Sequence, residues 1–140
     1  MCQSPRFYTG LIIIIIYVND FPKCLQHTIP GMFADDTYIT MTHEDISIIE
    51  CSLNRDLAAV HDWLHANKLS CNTSKTGYVT IGSRRNLTKA KFMNLKIDGW
   101  PIEHKPCTKL LGAHIDEMLT WDDQIKHISS KVLNGLGILY

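Results

Sequence analysis

The sequence has no excess of either charge. Its 14 lysine and arginine residues balance 14 aspartate and glutamate residues, so the formal net charge at pH 7 is zero. A domain that binds nucleic acid by itself usually carries a clear surplus of positive charge. The basic residues in the second half are scattered and are more typical of a solvated surface than of a phosphate-binding patch: Arg84, Arg85, Lys89, Lys91, Lys105 and Lys109.

The sequence also lacks a long hydrophobic run and a paired cysteine pattern. The apolar run from Leu11 to Val18 has eight residues, whereas a membrane-spanning helix needs about 20, and no secretory cleavage region accompanies it. The five cysteines are odd in number and scattered, which predicts reduced thiols rather than a disulfide framework. We therefore expect an intracellular protein without a membrane segment.

The chain does contain clear helical periodicity. Its 45% hydrophobic content is typical of a globular protein. Apolar residues from Ile46 to Leu64 recur at spacings of three and four, which predicts an amphipathic helix with one wet side. Near the end of the sequence, a second stripe follows Trp121 at helical spacing: Ile125, Ile128, Val132 and Leu136. We expect this second stripe to be poorly covered, which predicts low solubility or a need for further residues.

Short strands are predicted between these two helices. Residues 78–82 are typical of a strand that ends at Gly82, and residues 83–91 are polar and basic, which indicates a surface loop. Asp98-Gly99 is a strong hairpin signal between the apolar segments 95–97 and 101–103. Residues 108–115 then predict another strand.

The most informative feature is a pair of adjacent carboxylates, Asp35 and Asp36, between two strand-like segments. The residues before it end in Phe33, and those after it, from Thr37 to Met41, are rich in β-branched and aromatic types. Neighbouring side chains of a strand point to opposite faces, so two consecutive aspartates serve one site only where the backbone turns. Asp-Asp is also a common turn dipeptide without any function. If the pair is functional, its hard oxygen ligands suit Mg²⁺ and indicate metal-assisted phosphoryl transfer.

The context of this pair resembles a known family. Phe33-Ala34-Asp35-Asp36 is similar to the metal-binding motif of reverse transcriptases, and the longer string from Met32 to Thr37 resembles the non-LTR retrotransposon branch. Four further segments resemble blocks of that family in the expected order: Tyr17 to Pro22, Trp63 to Thr76, the hairpin called the primer grip from Leu110 to Asp116, and the opening of the thumb from Leu119 to Val132.

The resemblance implies an α+β fold, a partial polymerase palm over residues 1–118 with an antiparallel sheet and packed helices, followed by the start of a thumb over residues 119–140. It also implies a palm helix running to about Cys24, although the isoleucines of residues 12–16 favour a strand by local propensity. The departures from the family are large at the beginning. A strand with another catalytic aspartate and the nucleotide-binding fingers have no counterpart here, and Asp20 matches a non-catalytic position.

The resemblance further implies residue roles. In an intact enzyme, Asp35 and Asp36 would hold Mg²⁺, and Lys75 would act near the departing pyrophosphate, although a solvated loop lysine is at least as common. The residues expected near the primer are Phe33, Ala34, Leu110, Leu111, Gly112 and Ala113. The partners would be an RNA template, a DNA primer, a deoxynucleoside triphosphate and the missing fingers and palm segment.

The resulting hypothesis is a fragment of an RNA-directed DNA polymerase that is inactive alone. The alternative is a non-catalytic retroelement remnant that acts as a binding module or has no function. Two pairs of residues have the spacing of zinc ligands. His61 and His65 lie one helical turn apart, and Cys24 and His27 have Cys-x-x-His spacing, but neither pair has convincing further ligands.

Overall fold

The structure is a computed structural model that describes residues 18–33, 36–89 and 93–136. Within these ranges it is a mixed α+β chain with three antiparallel strand pairs and one parallel pair. The α+β expectation is therefore confirmed, whereas a polymerase palm and the boundary at residue 118 stay predictions. The described residues form two compact units, one of residues 18–33, 36–73 and 94–101, the other of residues 74–89, 93 and 102–136.

The elements follow one another along the chain after a 3₁₀ helix at Phe21–Cys24. They are β1 (Ile29–Phe33), β2 (Asp36–Thr40), α1 (Ile46–Ala66), β3 (Gly77–Tyr78), α2 (Arg84–Lys89), β4 (Lys96–Ile97), β5 (Trp100–Pro101), β6 (Glu103–His104), β7 (Cys107–Leu110), β8 (Ala113–Asp116) and α3 (Asp122–Leu136).

Helix α1 is the main element of the first unit and confirms the predicted amphipathic helix. It begins at a cap, because the Asp45 side chain accepts a hydrogen bond from the amide of Ser47 at 2.8 Å. The apolar stripe is buried or half-buried along its whole length. The helix ends beyond the predicted Leu64, at Ala66, where Lys68 takes the left-handed conformation with φ of 55°.

The core of the first unit is small and lies along α1. Its buried apolar side chains are Phe21, Leu57, Val60, Leu95 and Ile97. The Phe21 ring meets Trp63 edge to face, with centroids 5.3 Å apart. The β4–β5 hairpin is attached to the helix through Asn54, which donates to the Asn94 carbonyl and accepts from the Lys96 amide.

The turn of this hairpin is the predicted one. Asp98 and Gly99 have φ values of 54° and 74°, which is the pattern of a type I′ turn. The strands are shorter than expected, because Ile97 pairs with Trp100 and the hairpin ends at Pro101. Glu103 belongs instead to a strand of the second unit.

The second unit corrects three sequence expectations, the first two of which concern residues 78–91. The strand predicted over residues 78–82 is only Gly77–Tyr78, because its partner is the two-residue strand β6, with which it pairs in parallel. The loop predicted over residues 83–91 contains helix α2. Ser83 begins this helix, since its carbonyl accepts the amides of Asn86 and Leu87, and the polarity of the segment concealed its helical propensity.

The last elements are a hairpin and a helix. Residues 108–115 are not one strand but the paired strands β7 and β8, joined at Leu111 and Gly112, in agreement with the hairpin implied by the family resemblance. Helix α3 confirms the predicted amphipathic segment. Its stripe is uncovered within the described chain, with Ile125 58% and Val132 55% exposed, whereas low solubility stays a prediction.

The beginning of the predicted palm helix, residues 11–17, lies outside the described residues. The described continuation is a turn at residues 18–20 and then the 3₁₀ helix, in which the Lys23 amide donates to the Asp20 carbonyl at 2.9 Å. The expectation of a palm helix running to about Cys24 is therefore wrong over residues 18–24, and Asp20 lies in a turn. No helix in the described ranges combines the length and apolarity needed to cross a membrane.

Replacing Phe21 by alanine should destabilise the first unit by about 3 kcal/mol or more, because a buried ring and its contact with Trp63 are lost. Urea unfolding followed by circular dichroism measures the change. Phe33→Ala is the matched control, since that ring is 65% exposed and its loss should cost less than about 1 kcal/mol. Equal losses in the two variants would contradict a core centred on α1.

Candidate metal centre

The predicted hairpin around the aspartate pair is present. Strands β1 and β2 are antiparallel, and their register places Phe33 opposite Asp36. Two residues of the sequence, Ala34 and Asp35, therefore connect the paired ends, as in the commonest hairpin loops. Ala34 and Asp35 themselves lie outside the described residues, so their roles stay predictions.

The face of the hairpin that carries Asp36 is open to solvent. Directly paired residues share a face, so Asp36 lies beside Phe33 and on the same side as the pairs Gly31 with Tyr38 and Ile29 with Thr40. Asp36 is exposed, and Phe33 and Ile29 are 65% and 71% exposed. A ligand therefore has free access to the carboxylate from this side.

Gly31 lies directly under the Tyr38 ring on this face. The Tyr38 ring occupies the space that a Cβ atom on residue 31 would need. An aromatic ring that covers a glycine on the neighbouring strand shields the backbone and helps to fix strand register. The register that places Phe33 opposite Asp36 thus has a side-chain contact to support it.

Asp36 supplies one oxygen ligand of the kind that Mg²⁺ takes, and a magnesium site at this hairpin stays a prediction. Mg²⁺ prefers oxygen ligands and is usually held by one or two carboxylates together with water and phosphate oxygens. In residues 18–33, 36–89 and 93–136, no three histidine, cysteine, aspartate or glutamate side chains are arranged to hold a metal ion. The described residues therefore form no closed structural metal site.

Lys75 is exposed and lies in the turn formed by residues 73–75. It belongs to the second unit, whereas the β1–β2 hairpin belongs to the first. The structure therefore gives no shared geometry for Lys75 and Asp36, and the role of Lys75 stays a prediction.

Four of the predicted primer-contacting residues, Leu110 to Ala113, form the end of the β7–β8 hairpin. Leu110 pairs with Ala113, and Leu111 and Gly112 make the turn. Leu111 has φ of 50° and is 51% exposed. A leucine in the left-handed region costs about 1 to 2 kcal/mol relative to the right-handed one, so this exposed side chain is held in an unfavourable backbone conformation.

The link from this hairpin to α3 is organised by Asp116. Its carboxylate accepts hydrogen bonds from the amides of Met118, Thr120 and Trp121 at 3.0, 3.1 and 3.0 Å. The Thr120 amide makes the largest contribution to lowering the pKa of Asp116. The carboxylate thereby fixes the turn between β8 and the beginning of α3 in its charged form.

The zinc patterns gain no support. The Nε2 atom of His61 lies 3.5 Å from Asp98 Oδ1, and the rings of His61 and His65 have centroids 6.5 Å apart. The Cys24 thiol donates to the Phe21 carbonyl at 2.9 Å. Cys24, Cys51 and Cys107 are free thiols.

Asp56 is the residue that the sequence reasoning missed. It is 2% exposed in the middle of α1, and it accepts hydrogen bonds from the Gln26, His27 and Thr28 amides and from the Thr28 hydroxyl. A signal was available, because position 56 falls three residues after Leu53 and four before Val60, inside the apolar stripe. A charged residue at such a position requires a buried partner.

Burial alone would raise the pKa of Asp56. The hydrogen bond from the Thr28 hydroxyl and those from the three amides outweigh burial, and the pKa lies below its usual range. Asp56 is therefore charged at neutral pH.

Comparison with known proteins finds no matching family model, no similar curated protein and no similar solved structure. The resemblance to reverse transcriptases accordingly depends on the residues and their order alone.

Because of Asp56, the free energy of unfolding of the first unit should decrease at acidic pH. Because its folded pKa is below the unfolded value of about 3.9, its contribution is fully present above that value and is lost as pH falls through the folded pKa. Unfolding free energies measured between about pH 5 and about pH 2 should fall less steeply in Asp56→Asn than in the parent. Identical slopes would mean that Asp56 is not the acid-sensitive group.

Proposed function

We propose that this chain is a fragment of an RNA-directed DNA polymerase of the non-LTR type, covering the later palm and the start of the thumb. The observation that carries the proposal is the β1–β2 hairpin, in which Phe33, the first residue of the Phe-x-Asp-Asp string, lies opposite Asp36, the last residue of that string. A turn is the arrangement that brings consecutive carboxylates to one site. The order of the other family-like segments supports the same reading.

In the intact enzyme, Asp35 and Asp36 would hold Mg²⁺, which would supply Lewis-acid activation of the primer 3′-hydroxyl and neutralise charge on the triphosphate. The part of this chain is to present oxygen ligands at the hairpin end. The exposure of Asp36 and of its neighbour Phe33 supports this role, since primer and nucleotide need access to the carboxylates.

The turn of the β7–β8 hairpin supports a role in primer contact. Leu111 is exposed and has a left-handed backbone that glycine or asparagine would adopt at lower cost. A side chain retained in such a position is a candidate for direct contact with a ligand. Lys75 is exposed in the turn of residues 73–75, so its ammonium group would be accessible to a phosphate.

Catalysis by this chain alone is not expected. Two-metal nucleotidyl transfer needs a further carboxylate strand and nucleotide-binding fingers, and neither has a counterpart in the sequence. The rival function is a non-catalytic module. The zero net charge and the exposed stripe of α3 favour a protein partner over free nucleic acid for such a module.

Mn²⁺, a paramagnetic substitute for Mg²⁺, tests for metal binding at the β1–β2 hairpin, which we call the metal hairpin. We expect millimolar Mn²⁺ to broaden the amide resonances of Phe33, Asp36 and Thr37 selectively, because the ion would lie against the hairpin end. Asp35→Asn and Asp36→Asn should each weaken the broadening. Asp62→Asn removes an exposed carboxylate on α1 and should leave it unchanged. Broadening that is absent, or that persists in the hairpin variants, would contradict a metal site here.

Primer extension separates the fragment from a self-sufficient enzyme. With an RNA template, a DNA primer and Mg²⁺, the purified chain should give no extension above background, since part of the ligand set is missing. The double variant Asp35→Ala, Asp36→Ala is the control. Extension by the parent that this variant abolishes would show that the chain is a complete catalyst and would overturn the fragment reading.

A further inference from the structure

Asp56 is the most deeply buried charged side chain of the described residues, at 2% exposure. Removing a carboxylate from water is costly unless hydrogen bonds or a counter-charge replace the lost hydration. Among the described residues, Asp56 has no lysine, arginine or histidine side chain in ion-pair contact. The compensation comes from hydrogen-bond donors.

All four donors belong to one short segment. The amides of Gln26, His27 and Thr28 lie 3.2, 2.9 and 2.8 Å from the Asp56 carboxylate oxygens, and the Thr28 hydroxyl lies 2.7 Å away. Successive amides that converge on one anion form a concave binding site for it. Because Asp56 lies 28 residues beyond Thr28 in the sequence, this contact is tertiary and joins the segment to the middle of α1.

The segment of residues 26–28 leads directly into β1. Thr28 is buried and immediately precedes Ile29, the first residue of β1. A two-stranded hairpin is marginally stable by itself in water, and Ile29 and Phe33 on its open face are largely exposed. The hairpin therefore depends on contacts outside its own ladder to hold its position.

We propose that Asp56 is a positioning residue for the metal hairpin, fixing the entry of β1 against α1 so that Asp36 is presented in one orientation. The metal-related part of this inference rests on the proposed function. Asp56 is too deeply buried to touch metal or substrate, so its action passes entirely through residues 26–28 and β1.

The first test is amide hydrogen exchange in Asp56→Asn. Asparagine keeps the shape but loses the charge and turns a donor toward the amides, so we expect protection in β1 and β2 to fall about tenfold more than protection in the β4–β5 hairpin. Asp62→Asn, on the exposed side of the same helix, should change neither. An equal loss in both hairpins would show that Asp56 stabilises the whole unit and would overturn the positioning role.

A conservative pair keeps the test decisive where Asp56→Asn unfolds the chain. Thr28→Val removes the hydroxyl donor and leaves the three amides in place, whereas Thr28→Ser keeps a hydroxyl. We expect Thr28→Val to reproduce the selective loss of hairpin protection in weaker form and Thr28→Ser to restore values near the parent. Identical behaviour of the two variants would contradict the contact.

The second readout is Mn²⁺ broadening at the hairpin, measured on folded protein. Asp56→Asn or Thr28→Val should weaken the broadening of Asp36 and Thr37 several-fold, although neither changes a possible ligand. Unchanged broadening in these variants would overturn the inference while leaving the proposed function intact. A parent chain without broadening would contradict the proposed function, and the hydrogen-exchange comparison would still decide the positioning of β1.

Discussion

The hydrogen bonds between Asp56 and the segment Gln26–Thr28 join the central helix to the strand that leads to the aspartate pair. Outside the two hairpin ladders, the main contacts between elements of the first unit also involve that helix. Phe21 packs against it, and Asn54 holds the following hairpin. None of the buried apolar side chains of the described residues lies in the β1–β2 hairpin, and the polar contact of Asp56 connects the entry of β1 to the helix.

The β1–β2 and β7–β8 hairpins, which carry the proposed metal and primer contacts, differ in the local interactions that shape them. In β1–β2, an aromatic ring over glycine supports the register. In β7–β8, Leu111 occupies a turn position where the backbone conformation itself is costly. The contact of Tyr38 with Gly31 helps to hold Asp36 in a fixed position. The turn at Leu111 exposes an apolar side chain at the end of the β7–β8 hairpin. Neither arrangement requires that the chain be catalytic by itself.

Much of the fold was predictable because its signals are local. The stripe of α1, the stripe of α3 and the Asp98-Gly99 turn each depend on residues within a few positions of one another. The hairpin at Asp36 was predictable for the same reason. One error arose where a tertiary partner decides the outcome. Strand β3 is short because only Glu103 and His104 pair with it, and a sequence pattern does not reveal a parallel partner 26 residues away.

The least predictable part of the candidate site was its support. The pattern of carboxylates indicated a metal hairpin, but it did not indicate that a third aspartate, inside a helix stripe, contacts the entry of that hairpin. In the sequence, such a residue only interrupts the apolar stripe of an amphipathic helix, because its hydrogen-bond donors lie far away along the chain. Ala34 and Asp35, in contrast, were named from sequence and lie outside the described residues, so family resemblance alone supports their roles.

The packing of Tyr38 on Gly31 makes the tolerance of these two positions interdependent. A larger residue at 31 forces the ring away, and a smaller residue at 38 leaves the glycine backbone exposed, so the effect of either substitution depends on the other. Energies of single replacements at these sites would not add. A larger side chain at position 31 would therefore be accommodated best together with a smaller one at position 38.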